Sequence, residues 1–300
     1  MASEIAYPLL LDGGLSNQLE YQGCNLNHNL WTAVVLVDSP NEIIKAHTAY
    51  LHAGSQCIIT ASYQLTHQGL KEYTKTLEEA DGLIIKSVEL AKAAVDIFMQ
   101  GSPNASRPFI AASIGPYGAS LSDGSEYHGN YSVSDEFLYE FHLRRIKLLD
   151  SSPANFLAVE TIPNIQEANV LSEILKTCNK PAWMTFACKD DSHINDGTSI
   201  IECAQMLNDN PQVFAIGVNC THPEHISGLI KRLKSNSTSK RIIVYPNHGE
   251  IFDPKTKTWS EPTGTCFNQE AVSNWLIDGA DIVGGCCRVG PEDIMKINLD

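Results

Sequence analysis

Apolar and polar residues alternate along the chain in a plan of short strand-like segments separated by longer helix-like segments. The strand-like segments are continuous runs rich in Val, Ile and Ala, which are typical of strands buried in a parallel sheet. The helix-like segments repeat apolar residues at intervals of three and four, most clearly from Leu77 to Phe98. The pattern predicts eight strands: Leu9–Leu11, Cys57–Ala61, Phe109–Ile114, Phe156–Glu160, Ala182–Cys188, Val213–Val218, Arg241–Tyr245 and Asp281–Val283.

The order of these elements predicts an α/β fold. Eight strands, each followed by a helix, is the count of a (β/α)8, or TIM, barrel, although an open doubly wound sheet uses the same alternation. No segment has the composition of a linker, so we predict a single domain over residues 1–300. Further helices are predicted to begin at residues favoured at helix N-termini, namely near Ser134, Asn164, Ser199, Pro223 and Asn268 and after Pro291.

Polar and reactive residues gather where the predicted strands end. In a barrel the carboxyl ends of all strands meet on one face, where active sites are built, so this sorting favours the barrel over the open sheet. Two long connections, residues 115–133 and Asn247–Phe267, are lid candidates, because long loops in compact domains are usually functional. The strand-end residues are Asp12, Gly13, Gly14, Thr60, Glu160, Asn219, Cys220, Asn247, Cys286 and Cys287.

Charge and composition exclude several classes of function. The formal net charge of the 300 residues is −14, which makes nucleic acid and anionic membranes poor partners. No apolar run approaches the ~20 residues that span a bilayer, and the N-terminus lacks the features of a secretory signal. We therefore expect a cytoplasmic protein, whose nine cysteines stay reduced.

Three of these cysteines have the arrangement of a metal site with one open position. Cys220 ends the sixth predicted strand, and Cys286 and Cys287 end the eighth. Vicinal side chains point to opposite sides of a regular strand, and we expect Gly284 and Gly285 to relax the backbone so that both sulfurs face one ion. Three thiolates and a vacant fourth position suit a working zinc ion. The alternatives are a vicinal disulfide or two thiols without a role.

A zinc site with three thiolates favours one reaction class. Such a metal is electron-rich and suited to holding a substrate thiol as a nucleophilic thiolate, so the chemistry expected is alkyl transfer to a thiol. Asp12 and Glu160 can receive an ammonium group, and the amides of Gly13 and Gly14 can form a small nest for a carboxylate. These features describe an amino-acid thiol. For Asp12 the alternative is a role in capping a turn.

The chain resembles the zinc-dependent homocysteine S-methyltransferases, most closely the short branch that uses S-methylmethionine or S-adenosylmethionine as donor. One departure is His248, where the branch usually has serine within Tyr-Pro-Asn-Ser-Gly-Glu. The blocks that carry the resemblance are Leu11-Asp12-Gly13-Gly14, Ile59-Thr60-Ala61-Ser62-Tyr63-Gln64, Ser113-Ile114-Gly115-Pro116-Tyr117-Gly118-Ala119, Asp123-Gly124-Ser125-Glu126-Tyr127, Glu160-Thr161-Ile162-Pro163-Asn164, Gly217-Val218-Asn219-Cys220, Val244-Tyr245-Pro246-Asn247 and Gly284-Gly285-Cys286-Cys287-Arg288.

The resemblance implies a (β/α)8 barrel that binds homocysteine beside one zinc ion per chain. Cys220, Cys286 and Cys287 would be the zinc ligands. Asp12 and Glu160 would bind the homocysteine amino group, and Thr60 with the Gly13 and Gly14 amides would contact its carboxylate. Asn219, in the same block as Cys220, completes the predicted substrate-binding set.

The sequence therefore predicts methyl transfer from S-methylmethionine or S-adenosylmethionine to homocysteine, giving methionine. Tyr63, Tyr117 and Tyr127 are candidate faces for the sulfonium ion, with a packing role as the alternative. Two other functional classes stay open. One is a redox switch or metal sensor that uses Cys286 and Cys287, and the other is a zinc-stabilised binding barrel without catalysis.

Overall fold

The fold is a barrel of eight parallel strands. The computed structural model describes residues 5–28, 31–235, 239–250, 252–253, 258–261, 264 and 266–299. Two short antiparallel strands form a separate hairpin in the connection that follows β7. The strands are β1 Leu9–Leu10, β2 Cys57–Ile59, β3 Phe109–Ile114, β4 Phe156–Ile162, β5 Ala182–Phe186, β6 Val213–Asn219, β7 Arg241–Tyr245, β8 Phe252–Asp253, β9 Thr258–Trp259 and β10 Ile282–Val283.

The sheet closes on itself. Its strand order is β1-β10-β7-β6-β5-β4-β3-β2, and every neighbouring pair is parallel. A parallel bridge between Leu11 and Cys57 joins the two outermost strands, and the Asp12 amide donates to the Cys57 carbonyl at 3.1 Å. The predicted barrel is confirmed, and the open sheet is wrong for this chain.

Helices fill the connections between the strands. Four helix starts predicted from the sequence have side-chain caps in the structure. The side chain at each N-cap accepts a hydrogen bond from a backbone N–H of the first turn, at Ser134, Asn164, Ser199 and Asn268. None of the described helices is both long enough and apolar enough to cross a membrane. The helices are α1 Leu15–Tyr21, α2 Thr32–Asp38, α3 Pro40–His52, α4 Leu77–Gly101, α5 Tyr117–Leu121, α6 Asp135–Ser151, α7 Ile165–Leu175, α8 Ile200–Asn208, α9 Ile226–Ser235, α10 Gln269–Asp278 and α11 Pro291–Ile294.

Buried apolar side chains form two layers. One layer lies between the strands and the helices, and the other fills the barrel, where Phe156 and Ala158 of β4 meet Trp183 of β5. Successive side chains of a strand point to opposite faces. The register that directs Phe156 and Ala158 inward therefore directs Glu160 inward too, at the carboxyl end of the barrel. The same alternation directs Thr185 inward, since it lies two residues after Trp183 on β5.

The glycines before the vicinal cysteines allow two strand ends to touch. A Cβ atom on Gly284 would lie 2.6 Å from the Leu11 Cβ and 3.0 Å from the Asp12 carbonyl oxygen. The Gly285 amide donates to that same carbonyl at 2.9 Å. Neither glycine has a positive φ. Close approach to β1 thus requires glycine here, and the relaxed backbone expected from the sequence stays a prediction.

The two long connections both contain regular structure. Residues 115–133 include α5 and a 3-10 helix, Ser125–Tyr127. The Asn247–Phe267 connection contains the β8–β9 hairpin. Residues 251, 254–257, 262, 263 and 265 of this second lid candidate lie outside the described residues.

Replacing Gly284 by alanine should destabilise the barrel. Overpacking of this kind costs about 1–3 kcal/mol, because the added methyl group would push β10 away from β1. Gly82 is the matched control, since it lies inside α4 with no atom within 4 Å of the position of its Cβ. Gly82→Ala should stabilise the protein by about 0.5–1 kcal/mol through helix propensity. Denaturant unfolding measures both changes, and equal effects of the two substitutions would contradict the close-approach explanation.

Candidate metal centre and substrate cavity

Three cysteine sulfurs converge at the carboxyl end of the barrel. Cys220 follows β6, and Cys286 and Cys287 follow β10, with β7 between those two strands. The three Sγ atoms all lie within 4.8 Å of one another, and among the described residues this is the only cluster of potential metal ligands. The Sγ atoms of Cys220 and Cys286 are in direct contact, and Cys287 is a free thiol.

The end of β7 holds the cysteine backbones in place. The Cys286 amide donates to the Pro246 carbonyl at 2.7 Å, and the Cys220 amide donates to the Tyr245 carbonyl at 3.4 Å. Cys220 has a φ of +48°, in the left-handed region that non-glycine residues seldom occupy. Strained backbone of this kind clusters at functional sites, where surrounding contacts enforce it.

The donor set fits a thiophilic metal ion. Burial, with a smaller contribution from the carboxylate of Glu126, raises the pKa of the Cys287 thiol to about 12. Three thiolates at this spacing repel one another, so a cation must be present for all three to be charged. Tetrahedral thiolate sites of this composition are typical of zinc, and three protein ligands leave one position for an outside ligand.

A cavity of about 610 Å³ opens in front of the sulfurs. Most of the side chains predicted from the sequence to form the site line it. Asp12 is the exception, because it is buried behind the wall. The predicted residues that line the cavity are Gly13, Gly14, Thr60, Glu160, Asn219, Cys220, Cys286 and Cys287.

Two buried carboxyl groups belong to this end of the barrel. Asp12 accepts the Ile59 amide at 2.8 Å with one oxygen, while its Oδ1 has no hydrogen-bond partner. Burial raises the pKa of Asp12 well above its usual value. Glu160 accepts hydrogen bonds from the hydroxyls of Ser113 and Tyr245, the latter at 3.1 Å. Burial raises the Glu160 pKa to about 7, although those two bonds act in the opposite direction.

Asn219 fixes an irregular turn at the end of β4. Its Oδ1 accepts the Thr161 amide at 2.7 Å and the Thr185 hydroxyl at 2.8 Å, and its Nδ2 donates to the Thr161 hydroxyl at 2.7 Å. Thr161 has a φ of +62°, and the pairing of β4 with β5 shifts between Val159 and Ile162. Asn219 therefore positions the turn directly after Glu160, and its predicted contact with substrate stays a prediction.

The sequence-predicted glycine nest is partly engaged within the protein. The Gly14 amide donates to the Val289 carbonyl at 2.9 Å. A substrate carboxylate would have to compete with that bond, so the role predicted for Gly14 stays a prediction. His248, the departure noted in the sequence, donates its backbone N–H to the Cys287 carbonyl at 3.0 Å. Its Nδ1 lies 3.2 Å from a carboxylate oxygen of Glu250.

Sequence reasoning missed the residues that support the site from inside the barrel. Ser113 and Tyr245 hold Glu160, and Tyr245 also contacts the hydroxyl of Thr185 at 2.8 Å. Each occupies an inward position near the carboxyl end of its strand. The signal that could have found them is a polar residue in step with the inward apolar residues of the same strand.

The barrel and its three converging thiols define a (β/α)8 protein with a thiol cluster at the face where such barrels carry active sites. The sequence model of the homocysteine S-methyltransferase family matches residues 9–299. Homocysteine S-methyltransferase YbgG of Bacillus subtilis is 47% identical over 296 residues, which cover 97% of this chain and 94% of that protein. The chain therefore belongs to the homocysteine S-methyltransferase family, and it is a methyltransferase.

Solved structures agree with this assignment. The metallated form of the homocysteine methyltransferase MmuM from Escherichia coli matches with a TM-score of 0.89 and 37% identity, over 99% of this chain and 97% of that one. The oxidized form of MmuM matches with a TM-score of 0.86 and 38% identity, over 96% and 94% of the two chains. Both likenesses extend over the whole barrel.

Substituting Asn219 by alanine should lower the free energy of unfolding by about 1–3 kcal/mol, because the buried Thr161 amide and Thr185 hydroxyl lose their acceptor. Asn169 is the control, since it lies exposed on α7 and its side chain donates to the Ile165 carbonyl within the helix. Asn169→Ala should change stability by less than about 0.5 kcal/mol. Chemical denaturation compares the two variants, and an Asn219→Ala protein as stable as the control would contradict the proposed support of the turn.

Proposed function

We propose that this chain transfers a methyl group from a sulfonium donor to the sulfur of L-homocysteine, giving methionine. The observation that carries the proposal is the convergence of three cysteine sulfurs on a cavity that also contains a buried glutamate. A thiol acceptor suits the sulfur cluster, and an ammonium group suits the carboxylate. The family to which the chain belongs gives the same acceptor.

The proposed metal is one zinc ion, held by Cys220, Cys286 and Cys287. A bound zinc ion would lower the pKa of the acceptor thiol and keep it as a nucleophilic thiolate near neutral pH. The protein's own part is to hold three sulfurs on the ends of two strands, with a cavity on their open side. Support for a metal comes from the metallated form of the E. coli relative.

Recognition of the acceptor falls to the inward polar residues. Glu160 is the proposed contact of the homocysteine ammonium group, and the hydrogen bonds from Ser113 and Tyr245 that orient its carboxylate support this role. Asp12 keeps one oxygen without a partner and is proposed to add its charge to the same end of the cavity. Thr60 and the amides of Gly13 and Gly14 are the proposed carboxylate contacts, and Asn219 completes the set.

The proposed donors are S-methylmethionine and S-adenosylmethionine. In either donor the sulfonium carries a full positive charge, and the departing group is a neutral thioether. Little proton transfer is therefore needed once the acceptor is a thiolate, and alignment of the two sulfurs with the methyl group is the main requirement. We also propose a cytoplasmic location, because the three cysteines must stay reduced for this chemistry.

Cys286→Ser should abolish both metal binding and methyl transfer, because two sulfurs and a hydroxyl form a poor zinc site. The wild-type protein, purified under reducing conditions, should contain about one zinc per chain by elemental analysis. Cys178→Ser is the matched control, since Cys178 precedes β5 at the other end of the barrel and contacts the Ile174 carbonyl. Methionine formation from homocysteine and S-methylmethionine measures activity.

Full activity in Cys286→Ser would contradict the proposed metal centre. A metal-free wild-type protein that readily forms a Cys220–Cys286 disulfide would favour the redox-switch alternative. That pairing differs from the Cys286–Cys287 pair of the alternative considered from the sequence, because the structure brings Cys286 into contact with Cys220 and leaves Cys287 free. A metal-loaded protein that forms no methionine would favour the non-catalytic barrel.

Activity should depend on pH through Glu160. The Glu160 pKa is raised to about 7, so its carboxylate is present above that pH and is protonated below it. Only the carboxylate can pair with the ammonium group of homocysteine. The advantage of the wild type over Glu160→Gln in kcat/KM for homocysteine should therefore be about 10–100-fold at pH 8 and should shrink as the pH falls through 7. A ratio that stays constant over this range would contradict the assigned role.

A further inference from the structure

Glu126 contributes a carboxyl group to the cavity wall. Neither the sequence pattern nor the proposed contacts of the acceptor give this group a role. It lies in the 3-10 helix Ser125–Tyr127, inside the long connection after β3. Its side chain lines the same cavity as the three cysteines. Its Oε2 atom is buried and has no hydrogen-bond partner in the protein. A buried carboxylate oxygen without a partner is costly, so a ligand that supplies positive charge would be stabilised there.

Aromatic side chains share the cavity with Glu126 and the three cysteines. Tyr63 and Tyr127 line the cavity, and Trp31 packs edge-on against Tyr63 with ring centroids 6.5 Å apart. Burial raises the pKa of Tyr63 and Tyr127, and the negative charge of Glu126 acts in the same direction on both. Glu126 and the three cysteines line the same cavity, so a ligand that fills it can contact both.

Tyr117 does not belong to this wall. It packs in an aromatic group outside the cavity, with ring centroids 5.3 Å from Tyr131, 5.2 Å from Phe137 and 5.1 Å from Phe141. Of the three tyrosines considered from the sequence as sulfonium contacts, the structure leaves Tyr63 and Tyr127 at the cavity. Aromatic faces attract cations, so these two rings and a carboxylate form a coherent cation-binding surface.

We propose that Glu126, together with Tyr63 and Tyr127 in the same cavity wall, binds the positively charged sulfonium group of the methyl donor. The inference rests on the proposed function. The methyl group must lie in van der Waals contact with the acceptor sulfur, so the donor sulfur has to occupy the part of the cavity next to the cysteines. Glu126 contacts the sulfonium of the donor in that part of the cavity, while Glu160 pairs with the ammonium group of the acceptor.

The charge changes during the reaction set the kinetic signature of this contact. A bond forms between the acceptor sulfur and the methyl carbon, and the bond from that carbon to the donor sulfur breaks. Its electron pair stays on the donor sulfur, which becomes a neutral thioether. The attraction to Glu126 is therefore strongest in the bound donor and weakens towards the transition state. Such a contact lowers the KM of the donor without raising kcat, and it favours release of the neutral product.

The test is Glu126→Gln, which keeps the shape of the side chain and removes its charge. The KM of S-methylmethionine should rise about tenfold, while the KM of homocysteine changes less than about twofold and kcat does not fall. Glu140→Gln removes the same charge from an exposed position on α6 and should leave all three parameters unchanged. An unchanged donor KM in Glu126→Gln, or a rise confined to homocysteine, would overturn the inference.

A second measurement separates the sulfonium from the rest of the donor and does not depend on turnover. Trimethylsulfonium has the charge but no amino-acid group, and calorimetry on the metal-loaded protein with homocysteine present gives its affinity. Glu126→Gln should weaken this binding by about the same factor as the donor KM. Equal affinity in wild type and variant would overturn the inference. Absence of methionine formation in the wild type would instead remove the proposed function, whatever the trimethylsulfonium result.

Discussion

Mutual repulsion among three thiolates is the constraint on which the arrangement of this barrel end depends. Closure of the sheet brings the ends of β6 and β10 to either side of β7, and the backbone of β7 accepts amides from both cysteine segments. Glycines at 284 and 285 allow β10, which precedes Cys286 and Cys287, to lie directly against β1. Burial of Cys287 disfavours its thiolate unless a cation lies beside it. A metal ion bound at this end of the barrel would therefore stabilise the three thiolates.

The same logic extends through the cavity. Glu126 and Glu160 line the cavity, Asp12 is buried behind its wall, and burial raises the pKa of each carboxyl group. A cavity rich in buried acids favours ligands that bring positive charge. The proposed reaction supplies such charges in different places: a divalent metal at the cysteines, an ammonium group on the acceptor and a sulfonium on the donor. Methyl transfer removes the sulfonium charge, so one of these attractions disappears as product forms.

The sequence predicted those features that depend on period and position. Alternation of side chains along β4 carries Glu160 into the barrel, and the rule that strand ends share one face brings Cys220 to Cys286. Neither inference requires knowledge of the loops. The caps at Ser134 and Asn164 were predictable for the same reason, because they depend only on local hydrogen bonds.

The sequence did not predict features that depend on contacts between residues far apart along the chain. The left-handed turn at Thr161 exists because Asn219, two strands away, bonds its amide and hydroxyl. Nothing local predicts such a conformation for a β-branched residue. Glu126 lies on a loop, and its place beside the cysteines follows from the path of residues 115–133 across the barrel mouth. Helices α1, α2 and α3 between β1 and β2 were likewise not located by their pattern, although they are regular in the structure.

The most direct test of this account is X-ray absorption spectroscopy at the zinc edge on protein purified under reducing conditions. The account predicts three sulfur neighbours at about 2.3 Å and one lighter atom, with the lighter atom replaced by a fourth sulfur when homocysteine is added. A zinc ion with fewer than three sulfur neighbours, or a spectrum that homocysteine leaves unchanged, would contradict it.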